Sequence, residues 1–95
     1  MVDYIYDLIK ATSGEDIEVS AKITDEAGTT ITSGCGLRIF DKDETFMFRI
    51  EGTYAGEMWS FTIPGELTKG LKGKYWYCMC QDGKALSFRE PFYLV

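Results

Sequence analysis

Three cysteines are the side chains of this 95-residue chain best suited to chemistry, and two of them, in Cys78-Met79-Cys80, stand so that a strand would point both thiols to one side. With Cys35 they make three soft ligands of the kind that zinc or an iron-sulfur centre takes. A tetrahedral structural site wants four, usually from paired CxxC turns that wrap the ion, and the chain has no histidine to complete the set. No metal or other cofactor is therefore expected, and the thiols read as small buried hydrophobes. The odd count also excludes a complete framework of internal disulfides.

The carboxylates say as little about catalysis. Asp41-Lys42-Asp43-Glu44 has the oxygen density of a calcium loop but not the glycine or the distal glutamate of the twelve-residue pattern, so it reads as a solvated acidic turn. Asp25-Glu26 is likewise a turn, and nothing singles out two carboxylates as the acid and base of a glycosidase. There is no GxSxG, no phosphate loop and, without histidine, no Ser-His or Cys-His system. No catalytic residue is expected, and the chain reads as a non-enzyme.

Charge and length narrow the partners. Fifteen acidic and ten basic residues leave a net charge of -5, which repels a phosphate backbone, so nucleic-acid binding is not expected. Lys69, Lys72 and Lys74 are the densest basic run and read as a solvated loop. Asp3 stands where a secretory leader would carry a base, and no apolar run approaches a bilayer span, so neither a signal peptide nor a membrane is expected. Hydrophobic residues at 45% give enough apolar material for one compact domain over 1–95.

The elements are strands. Ile17, Val19, Ala21 and Ile23 alternate with polar residues, as a half-buried strand requires, and Asp25-Glu26-Ala27-Gly28 turns the chain into a short return strand at 29–32. Leu37 and Ile39 share one side of a strand ending at Phe40. Phe46, Phe48 and Ile50 form one period-two set and Trp59, Phe61 and Ile63 another, with a loop at 51–56 between them and Pro64-Gly65 as a stop. Residues 66–74 form a compact connection. A strand over 75–81 turns at Asp82-Gly83, residues 85–90 pair back, Pro91 marks an edge or bulge, and 92–95 close the chain as a short strand. Residues 3–11 read as strand rather than helix because Tyr and Ile dominate, and 1–12 form either a flexible or an interface-forming N-terminal strand. Seven to eight short strands without a convincing helix imply an all-β fold, an antiparallel sandwich or small barrel.

The 75–80 strand is apolar on both faces: Tyr75, Tyr77 and Met79 on one side, Trp76, Cys78 and Cys80 on the other. One face is core. The other is either covered by a terminal segment, 4–9 or 92–95, or presented to a partner, since large exposed apolar patches are rare on monomers. The candidate interface residues are Tyr4, Tyr6, Trp76, Cys78, Cys80, Phe92 and Tyr93.

Leu71-Lys72-Gly73-Lys74-Tyr75 resembles the tyrosine corner of immunoglobulin-like sandwiches, with Cys78 one position from where an antibody-type bridge would put it. Gly14 and Asp16 lead into a strand ending Ile23-x-Asp25-x-x-Gly28; Trp59-Ser60-Phe61-Thr62-Ile63-Pro64 follows, then Thr68-x-Gly70-x-x-Gly73-x-Tyr75-x-Tyr77 and the Asp82-Gly83 hairpin. In order and spacing these elements resemble the small immunoglobulin-like β-sandwich of bacteriophage tail and baseplate proteins, such as the N-terminal domain of the baseplate upper protein.

The resemblance implies a virion structural protein of the tail, baseplate or head decoration, working through contacts with copies of itself or other virion proteins and assembled in the bacterial host cytoplasm. Relatives carry this domain at one end of a longer chain. A different function class, a carbohydrate-binding module, would need Trp59, Trp76 or Tyr54 exposed in a row on one open face.

Overall fold

The computed structural model describes residues 9–87 and 89–95. Among these, nine strand segments and one short helix occur: β1 (Ile9–Ala11), β2 (Ile17–Ala21), β3 (Cys35–Phe40), β4 (Phe46–Glu51), β5 (Thr53–Ala55), β6 (Met58–Ile63), α1 (Gly65–Thr68), β7 (Gly73–Gln81), β8 (Lys84–Ala85) and β9 (Glu90–Leu94). They build a six-stranded sheet in the order β1-β9-β7-β3-β4, with β8 also on β7, facing a three-stranded sheet β2-β6-β5. The expected sandwich is what forms. Its one departure from antiparallel pairing is β1, which runs parallel to β9 with Ile9 opposite Phe92.

The alternating sets meet between the sheets. Ile17, Val19, Ala21 and Ile23 from one side of the sequence pattern, and Trp59, Phe61 and Ile63 from another, join Leu37, Ile39, Tyr77, Met79, Phe92 and Leu94 in one core. Burying a single such side chain is worth about 1.5–3 kcal/mol, so this layer holds the two sheets together.

Several local expectations are corrected. Residues 29–32 form no strand; Thr30 makes only an isolated bridge with Thr24, because the chain leaves the sheet after Ile31 to reach β3. Residues 51–56 are not a loop. β4 and β5 are one run that passes from the large sheet to the small one at Gly52, whose N–H donates to the Cys35 carbonyl. A β-carbon at Gly52 would sit 2.6 Å from the Phe61 ring and 2.7 Å from that of Trp59, so only glycine lets the strand cross so close to the core. The short helix α1 was also unforeseen. It is pinned to the β1–β2 loop: Asp16 Oδ1 accepts from the Gly65 N–H at 2.8 Å, and Thr68 Oγ1 accepts from the Gly14 N–H at 3.0 Å.

The two acidic turns share one architecture. Asp25 Oδ1 accepts the N–H groups of Ala27 and Thr29, and Asp41 Oδ1 those of Asp43 and Thr45, so each aspartate organises its own backbone rather than facing a cation. The left-handed position is glycine in one, Gly28 at φ 84°, and Glu44 at φ 63° in the other.

β8 and β9 are one strand interrupted by a bulge, since Cys80 pairs with Ala85 but Tyr77 with Glu90. Ser87 Oγ fills the gap by accepting the Met79 N–H at 3.1 Å. In the hairpin before it, Asp82 takes the positive φ of 51° and Gly83 does not. The tyrosine-corner reading fails in detail, because the Tyr75 phenol bonds no described residue and Tyr75 packs against the core.

Candidate protein-interaction surface

The outer face of the six-stranded sheet carries Gly36, Arg38 and Phe40 of β3 and Trp76, Cys78 and Cys80 of β7, since their alternates Leu37, Ile39, Tyr77 and Met79 point into the core. Neither described terminal segment lies over this face; β9 joins the sheet edge to edge instead. Long basic side chains cover it. Lys74 Nζ sits 4.3 Å from the centre of the Trp76 ring, and the Arg89 guanidinium 4.0 Å from that of Phe40. Arg49 lies across Gly36, where any β-carbon would collide with the guanidinium.

Arg49 is tightly held. Nη1 donates to the Asp82 carbonyl at 2.7 Å and Nη2 to that of Gly34 at 3.1 Å, while Nε lies 3.1 Å from Glu51 Oε1. This joins the β2–β3 loop to the β7–β8 hairpin. Arg89 reaches Glu44, bonding both its carbonyl and its carboxylate at 3.2 Å. Arg38 is different: it is half-buried, stands directly opposite Arg49 across the β3–β4 pair and opposite Cys78 across the β3–β7 pair, and has no acceptor among the described residues.

This roof corrects the expected interface. Cys78 and Cys80 are 3% and 0% exposed, closed over by neighbouring side chains, and Phe92 lies at 0% in the core because its strand parity points inward. None of the three can offer contact surface. Trp76 and Tyr93 are half-buried on the outer side, while Tyr4 and Tyr6 lie outside the described residues. The thiols are free and quiet. Burial, helped by the neighbouring Cys80, pushes the Cys35 thiol up to about 11 from 9.0, and burial likewise raises Cys78 against the opposing pull of Arg38 and Arg89. Among the described residues no three metal-ligating side chains cluster, and no helix is long and apolar enough to cross a membrane.

Phe46 is the surface residue whose position the alternation misread. It was expected to share a side with Phe48 and Ile50, but the β3–β4 register slips after Ile39, leaving Met47 as an extra residue that turns Phe46 outward. Phe46 meets Phe40 edge to face with centroids 6.0 Å apart and remains 54% exposed on the outermost strand. The arginines were also missed, because 38, 49 and 89 are far apart in sequence. Their parity opposite Leu37, Ile39, Phe48 and Ile50 is the signal that could have revealed two of them.

Trp59, one of the aromatics a sugar-binding face would need, is buried at 3% and donates its Nε1 to the Ile31 carbonyl at 2.6 Å. Tyr54 packs on it at 5.4 Å, and Trp76 is capped by Lys74, so the three form no open row.

No family model and no curated protein matches this sequence. Among solved structures, the fold is similar to that described as the crystal structure of the Lin-41 filamin domain, with a TM-score of 0.68 over 99% of this chain and 91% of that one, at 14% identity. The similarity is one of fold: the chain is an all-β, immunoglobulin-like sandwich.

Proposed function

We propose that this sandwich is a non-enzymatic structural subunit that works through protein contacts, and that its setting is the bacteriophage virion. The phage setting rests on the ordered motifs described in the sequence. The contact role rests on Phe46, a large aromatic turned outward by a bulge on β4, a strand whose outer edge pairs with none of the described residues, beside the arginine-roofed face. A free edge with an exposed aromatic is a template for pairing with another chain, which proteins elsewhere blunt with charge or cover. Self-association or docking onto a neighbouring virion protein would satisfy both the edge hydrogen bonds and the ring.

Light scattering coupled to size-exclusion chromatography on the reduced protein, over a range of concentrations and with candidate virion partners, tests the reading. A defined assembly that Phe46→Lys disperses is the expected result. A monomer under every condition, unaltered by Phe46→Lys and bound by no virion protein, overturns it.

A further inference from the structure

The chain has three arginines, Arg38, Arg49 and Arg89, and the fold gathers all of them on the outer face of the six-stranded sheet, although the protein as a whole is acidic at -5. They form a row across neighbouring strands. Arg49 on β4 faces Arg38 on β3, Arg38 faces Cys78 on β7, and Arg89 flanks Cys78 on the far side within the β8–β9 bulge. Strand spacing puts the first two backbone positions about 5 Å apart and the outer two about 15 Å apart.

Like charges placed directly opposite on a sheet destabilise it, so the Arg38–Arg49 pair is a cost that no acceptor among the described residues relieves at Arg38. Arg49 is neutralised by Glu51 and anchored on two carbonyls, and Arg89 has Glu44, but Arg38 stands half-buried without an acceptor among the described residues. The row is flanked by aromatic surface, Phe46 on the β4 side and Trp76 under Lys74.

We infer that this row docks an acidic segment of a partner protein, with a carboxylate of that segment taken by Arg38 and its apolar side chains lying against Phe46. Arginine suits the task because its planar fork binds a carboxylate through two parallel hydrogen bonds and stacks on rings. The shortness of the row favours a few carboxylates over a phosphate polymer, whose binding draws on many regularly spaced cations. The inference deepens the reading of the protein as a contact subunit but can fail separately, since light scattering reads assembly whether or not the row takes an acidic segment, and substitutions at Arg38 test the row.

The test uses the full chain and a synthetic peptide of alternating glutamate and phenylalanine, followed through the three arginine Nε–Hε resonances by NMR and through tryptophan fluorescence, with inorganic phosphate at equal ionic strength as a small-anion probe. The expected result is saturable binding that moves all three arginine signals, weakens with added salt, and falls at least tenfold in Arg38→Ala while Lys22→Ala on the other sheet's side leaves it unchanged. Arg38→Ala removes no hydrogen bond or ion pair among the described residues, and its amide spectrum verifies that it is native. Equal binding by Arg38→Ala, equal shifts with phosphate, or no shifts at all would overturn the inference. So would self-association abolished by Arg38→Glu, which would seat a second copy on the row in place of a partner.

Discussion

The indole Nε1 of Trp59 donates a 2.6 Å hydrogen bond to the carbonyl of Ile31, both buried, and so ties the centre of the small sheet to the loop that carries the chain from β2 to β3. Within 29–32 the described backbone pairing is the Thr24–Thr30 bridge, to which the indole bond adds a second tie. Trp59→Phe removes the donor, strands a buried carbonyl and leaves a small void. The expected loss is about 2–4 kcal/mol, read as a lower urea midpoint at unchanged slope. A midpoint within error of the wild type would show that the bond does not anchor the loop.

Gly52 is where the chain changes sheets, and a methyl group there meets two aromatic rings that cannot move independently of the core. Gly52→Ala should therefore destabilise by about 1–3 kcal/mol, even though alanine is the better residue for a strand on backbone entropy alone. Thermal unfolding distinguishes the two effects, since a Tm unchanged or raised means that the crossing has room.

Glu44 occupies the left-handed position that glycine fills in the sister turn at Gly28. Its exposed ion pair with Arg89 recovers little. Glu44→Gly should relieve more strain than it costs in unfolded-chain entropy, for a net gain of about 0.5–1 kcal/mol. A decrease in chemical-denaturation stability would mean that the Arg89 contacts outweigh the backbone.

Cys35 gives the fold a pH dependence above neutrality. Burial holds its thiol protonated up to about 11 in the folded state against an ordinary 9.0, so above pH 9 the unfolded chain binds fewer protons and stability falls as pH rises toward 11. The contribution is fully present below pH 9. The slope of the whole protein sums many groups, so the quantity to compare is the wild-type pH slope with that of Cys35→Ala. The slope should be shallower in the variant, and identical slopes would refute the assignment. The same burial predicts that a thiol reagent at pH 8 labels Cys35 only as fast as the protein opens.

What could be read from the residues in order was the set of inward faces. Ile17 to Ile23, Trp59 to Ile63, and Tyr77 with Met79 alternate by themselves, because the pleat repeats every two residues and one side must leave water. Alternation and turn chemistry together were enough for an all-β sandwich or small barrel, and the tally of strands holds once β4–β5 and β8–β9 are each counted as one passage of the chain. Tertiary structure decided everything that depends on register between distant strands. A single extra residue at Met47 turned Phe46 to solvent, a missing side chain at Gly52 let one strand serve two sheets, and pairing across β4, β3, β7 and the bulge before β9 aligned Arg49, Arg38 and Arg89. No local pattern encodes those outcomes, since each is settled by how well two separately formed strands bury their inward faces against a shared core, and the outward side chains are carried wherever that register takes them.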